Sequence, residues 1–179
     1  MEEPAPRRMS VAEFVEWDDG TDTRYELVHG VPVARNPPLA RHVVVGANLY
    51  RALEARLRPP CRAFIGGGVA RSDQDDECRI PDIFVSCRPP GRWFFDQPCL
   101  VVEILSASTE KEDRTTKLDF YRSLPSVEAI LFVWQDARRV EAHTRQDKVW
   151  EVRSVIASGD VPLPALGLML PLDEIYAEA

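Results

Sequence analysis

No apolar run in this chain of 179 residues approaches the roughly 20 residues that span a bilayer, so no membrane segment is expected. The opening stretch MEEPAPRRMS has no apolar signal core, and the expectation is a cytoplasmic protein. Cysteine is sparse. Cys61, Cys78, Cys87 and Cys99 show no CxxC spacing, which argues against zinc and for buried or free thiols in a reducing compartment. Gly66-Gly67-Gly68 is not followed by a helix bearing Lys-Ser/Thr, so it reads as a bulge or close backbone approach rather than a phosphate loop. DQDDE, residues 73–77, lacks EF-hand spacing and a glycine at its sixth position. There is no internal repeat and no low-complexity linker.

Positive charge is short as well: 22 basic residues stand against 29 acidic ones. That balance is wrong for a protein that coats nucleic acid. Residues 35–92, however, hold ten basic and six acidic side chains, so the middle third can present a local basic surface. Scattered, solvated arginines explain the same count equally well.

The pattern of what is present is α/β. MSVAEFVEWDD, with Val11, Phe14, Val15 and Trp17 apolar, reads as a short amphipathic helix behind Ser10 as N-cap, and RYELVHGVPVARN reads as a hairpin turning at His29-Gly30. Val45, Leu49, Ala52, Leu53 and Leu57 recur at helical spacing until Pro59-Pro60. CRAFIGGGVARSD and CRIPDIFVSC read as strands. STEKEDRTTKLDFYRSL reads as one helix over 110–124, with Thr109 and Glu112 as a capping box. Three strands follow, EAILFVWQD, RRVEAHTRQ and KVWEVRSVI, and PLDEIYAEA forms a last short helix. We expect a single domain over 1–179: an N-terminal helix and hairpin (10–36), a core (40–135) with a mixed sheet flanked by helices, and a β-rich C-terminal segment (136–179).

Glu103 is the anomaly. It sits inside CLVVEILSAST, a run apolar enough for a strand covered on both faces. An unpartnered buried carboxylate costs at least several kcal/mol. Val101, Glu103 and Leu105 share one strand face, and Asp82 lies in the neighbouring RIPDIF. An antiparallel pairing of the two lets Asp82 and Glu103 converge, and a divalent cation between them removes their repulsion. The competing readings are a buried salt bridge for Glu103 and a solvated strand-entry residue for Asp82. Asp113, Lys117 and Tyr121 follow at i, i+4, i+8, so Lys117 can reach back toward Glu103. Otherwise it forms a surface pair with Asp113 worth ~0.3–0.5 kcal/mol. His42, opening the long helix, is either a phosphate-contacting group or a packing residue. His29 reads as an exposed turn residue, and His143 lies on a sheet face.

Pro81-Asp82, then VVEILSAST with Asp113, Lys117 and Tyr121, resembles the Uma-type family of restriction-endonuclease-like proteins in the PD-(D/E)XK nuclease superfamily. YELVHG, His42, YRSLPSVEA and LPALGLMLPLDEIY extend the resemblance over nearly the whole chain. It implies a restriction-endonuclease-like core and a Mg²⁺-dependent endonuclease acting on DNA, with Mn²⁺ as a substitute ion. Asp82, Glu103 and the Ile104 carbonyl would hold the metal, and Glu26 a second ion. The lysine of the superfamily's Glu-x-Lys motif falls on Leu105 here, and the resemblance moves that role to Lys117. Ala107 stands where the family usually has proline. Substrate contacts are expected from His42, Arg41 and Arg71, with Arg35, Arg51 and Arg58 nearby, and a homodimer is compatible. The alternative is a non-catalytic nucleic-acid-binding or assembly module on the same scaffold.

Overall fold

Alternating apolar residues in the middle of the chain build the central sheet. The computed structural model describes residues 8–107 and 110–179. In chain order the elements are α1 (Val11–Phe14), β1 (Tyr25–Val28), β2 (Val31–Ala34), α2 (Ala40–Glu54), β3 (Arg62–Ile65), β4 (Ile83–Ser86) and β5 (Pro98–Leu105). Then come α3 (Glu110–Glu112), a π-helical turn (Asp113–Lys117), α4 (Leu118–Ser123), β6 (Ala129–Trp134), β7 (Arg139–Gln146) and β8 (Val149–Ile156). β9 (Asp160–Leu163), a 3₁₀ turn (Pro164–Leu166), β10 (Leu168–Pro171) and α5 (Leu172–Ile175) close the chain.

The contacts divide the chain into two units. One holds the described residues up to Pro37, with Gly67–Ile80 and Pro90–Asp96. Ser10 caps α1 through a reciprocal pair with Glu13, as expected from the sequence. β1 and β2 pair antiparallel, and the turn between them puts His29 and Gly30 at positive φ. Gly68 needs its missing side chain, because a Cβ there would lie 2.9 Å from the Cys78 sulfur. Val11, Leu27, Ala70 and Cys78 form this unit's small core.

The other unit comprises Pro38–Gly66, Pro81–Pro89 and Gln97–Ala179. Its six-stranded sheet has the order β3-β4-β5-β6-β7-β8. All neighbours are antiparallel except β5 and β6, which run parallel. A parallel pair needs a crossover, and the α3–α4 segment supplies it. On one face Val45, Leu49, Ala52 and Leu53 of α2 pack with Ile83, Val85, Leu100, Val102 and Ile104. Alternation turns Val101, Glu103 and Leu105 to the other face.

Four details depart from the sequence reading. The expected 110–124 helix is broken by the π-helical turn at 113–117, and its expected cap rests on Thr109, outside the described residues. β4 begins at Ile83, not at Cys78, because Pro81 cannot donate to a ladder. The β-rich C-terminal segment divides: β7 and β8 widen the central sheet, while β9 and β10 form a two-stranded ribbon of their own. The expected free thiols are free only at Cys78 and Cys99. Cys61 and Cys87 form a disulfide, since they flank directly opposed residues of the ladder, Arg62 and Ser86.

Candidate active site

What tolerates Glu103 is a set of groups delivered by the crossover helix. Its side chain is 2% exposed. Tyr121 Oη donates to Oε1 at 2.5 Å, and Lys117 Nζ lies 3.3 Å from Oε2. Lys117 also contacts Asp113 Oδ1 at 2.9 Å, and Asp113 is itself buried. The i, i+4, i+8 spacing therefore does put Asp113, Lys117 and Tyr121 on one face, directed at Glu103. The π-helical turn spans Asp113 to Lys117, so the two ends of this ion pair are the two ends of the irregular turn. Such insertions occur often at functional positions.

Asp82 precedes β4 by one residue. Ile83 pairs with Val102, so Asp82 lies one step further toward Glu103 along the same antiparallel ladder. Its Oδ2 accepts the Ile104 N–H at 2.7 Å and lies 3.2 Å from His42 Nε2. Ile104, the residue whose carbonyl is the expected third donor, thus already touches Asp82 through its amide. His42 reaches Asp82 from the first turn of α2. No local spacing signals that contact, because 40 residues separate the partners.

Most of the remaining candidates are ion-paired. In its own unit, Glu26 accepts the Ile80 N–H at 3.0 Å and lies 3.7 Å from Arg79 and 3.6 Å from Arg35. Arg71 is held at 2.6 Å by Asp75 and lies 3.6 Å from Glu77, and its pKa is raised chiefly by the Asp75 hydrogen bond. In the sheet unit, Arg41 is 3.9 Å from Asp136, and Arg51 donates to Asn48.

A second buried polar group lies on β7. His143 Nε2 is 2.8 Å from Glu141 Oε1, and its Nδ1 is 3.0 Å from Arg122. Burial pushes the His143 pKa down against the opposing pull of Glu141. Burial would raise Glu141, but hydrogen bonds from His143 and Arg114 outweigh it and hold the carboxyl below its ordinary range.

Among the described residues no three His, Cys, Asp or Glu side chains form a metal-binding group. Two carboxylates, with water completing the shell, match the habit of Mg²⁺ rather than of zinc or calcium. Around Lys117 two carboxylates, Glu103 and Asp113, face one ammonium.

Comparison with known proteins agrees with this architecture. Over residues 11–173 the chain matches the profile of the Uma2 family, described as "Putative restriction endonuclease". An uncharacterised Synechocystis protein, slr1290, is 28% identical over 97% of this chain and 93% of its own length. A second Synechocystis protein, sll1609, is 23% identical over 79% of this chain and 84% of its own. A crystal structure from Anabaena variabilis, described as a "putative nuclease belonging to DUF820", superposes with a TM-score of 0.75 at 18% identity. The match covers 94% of this chain and 98% of that one, so the two share a fold. With nearly its whole length inside one family profile, this chain belongs to the Uma2 family.

Proposed function

We propose that this chain is a Mg²⁺-dependent endonuclease that hydrolyses phosphodiester bonds in DNA. The observation that carries the reading is the Lys117 ammonium held beside Glu103 by a buried carboxylate, Asp113, on the helix that follows β5. Asp82, Glu103 and the Ile104 carbonyl would hold the ion. When bound, Mg²⁺ would supply Lewis acidity toward the phosphate and lower the pKa of a coordinated water. The Ile104 amide and His42 fix the Asp82 carboxylate, and Tyr121 fixes that of Glu103. Lys117, anchored by Asp113, would act on the attacking water or on the charge that builds on phosphorus oxygens.

Family membership supports the same reading, as does the resemblance in fold to a protein described as a "putative nuclease". One observation favours the alternative of a non-catalytic module: the Glu103–Lys117–Asp113 group is also a self-sufficient buried ion pair. Cleavage assays on duplex DNA, single-stranded DNA and RNA separate the two. Cleavage with Mg²⁺ or Mn²⁺ that stops in chelator, and is lost in Asp82→Asn and Glu103→Gln with an unchanged circular dichroism spectrum, is the expected result. No cleavage of any form by the wild type would favour the module.

A further inference from the structure

The outer strand β8 is long, flat in pattern and unprotected. Among the described residues no strand pairs with its outer edge. It spans eight residues, Val149–Ile156, against four in β3 at the opposite edge. Proteins usually blunt such edges with proline, lysine or short length. β8 has no proline or lysine, and it exposes Val149, Val152 and Ile156 at 64%, 54% and 62%.

The direction of its backbone groups can be worked out. β7 and β8 pair with Gln146 opposite Val149, around the two-residue turn Asp147-Lys148. Arg145 sends its N–H away from β8, to the Glu128 carbonyl, while Ala157 N–H reaches the Arg138 carbonyl on the β7 side. Successive residues of an antiparallel strand point their N–H and C=O to alternate sides. Odd-numbered residues of β8 therefore bond β7, and Trp150, Val152 and Ser154 present their N–H and C=O groups to the open edge.

We propose that a second copy of this chain adds to that edge, antiparallel and two-fold, centred on Val152. Only pairings that match outward residues with outward residues keep the side-chain faces aligned, so the two-fold axis must pass at a residue and not between residues. Centring on Glu151 or on Arg153 sets like charges against each other, which is destabilising. Centring on Val152 sets Glu151 of each copy opposite Arg153 of the other, twice. It also places Val152 on Val152 and Trp150 beside Ser154 on the far face. The strand is thus self-complementary in charge at one register and self-repelling at its two neighbours.

Sedimentation equilibrium on the full chain tests this. The wild type should form a dimer. Glu151→Arg and Arg153→Glu should each weaken it about tenfold or more, since each puts like charges at both crossings. An equimolar mixture of the two variants should recover the dimer, because each supplies the charge the other needs. Val152→Pro removes an outward N–H without touching the β7 ladder and should give a monomer, with circular dichroism confirming that every variant is folded. A wild type that stays monomeric overturns the proposal, as does a dimer that ignores both charge swaps.

Discussion

Lys117 serves two buried carboxylates at once, and that sets what its removal does. Lys117→Met leaves Glu103 and Asp113 without their shared cation. Breaking a buried pair this way costs about 3–5 kcal/mol, far above the sub-kcal surface pair that spacing alone allows. The variant should therefore melt earlier than the wild type in chelator, and saturating Mg²⁺ should raise its Tm more than that of the wild type. Turnover should fall about a hundredfold or more, the usual cost of a lost charge-stabilising donor. Equal Tm in chelator would show that Lys117 is not the partner of these acids. At this scale the sequence was readable where geometry is local. Asp113, Lys117 and Tyr121 fall on one face because a helix repeats, and the π-helical turn did not destroy that. The His42–Asp82 contact and the Cys61–Cys87 bridge were not readable, because no spacing encodes contacts that depend on how strands and helices assemble.

Strand β7 carries a pH-sensitive group of its own. The folded His143 has a pKa below the ordinary 6.5, so the unfolded chain binds the proton first, and stability falls on acidification below pH 6.5. Glu141 is likewise held below its ordinary 4.5, and its contribution is lost further down, as pH drops through the folded value. Urea denaturation across this range should show a steady loss of stability toward acid, and His143→Gln should flatten the upper part of that slope. The C-terminal element is pinned by a different device. Tyr176 Oη meets the carbonyls of Trp134 and Arg139 and the Arg139 N–H. Tyr176→Phe removes these bonds, although the Arg139 N–H keeps the Ala137 carbonyl, and should cost about 1 kcal/mol in chemical denaturation. Long periodic elements such as α2 and β5 to β8 were legible from the sequence. The β9–β10 ribbon was not, because Pro162, Pro164 and Pro171 break the alternation by which a strand is recognised.

Across the molecule, the basic middle third is largely spoken for. Arg71 and Arg35 are ion-paired in the first unit, and in the sheet unit Arg56 is held by Glu174. Fewer arginines are thus available to phosphates than a count of residues 35–92 implies. DNA affinity should still weaken with salt, by about −0.9 in the slope of log affinity against log salt per neutralised phosphate, and the slope should be small. A binding titration that shows no salt dependence would remove DNA as the partner. The disulfide acts globally too. Its partners are 26 residues apart in sequence, a loop for which closure is worth about 3 kcal/mol. Cys61→Ser should lower stability by that amount, and dithiothreitol should do the same to the wild type.

Leu105 stands where the superfamily pattern would put a lysine, and it is 1% exposed. Because the ammonium beside Glu103 arrives from the following helix, position 105 itself is released to packing. Heredity can then treat the two separately: the strand is free to exchange one aliphatic for another, while the helix alone must preserve its charge. A lineage that lost Lys117 would keep an unaltered β5 while giving up the cation that Glu103 and Asp113 share.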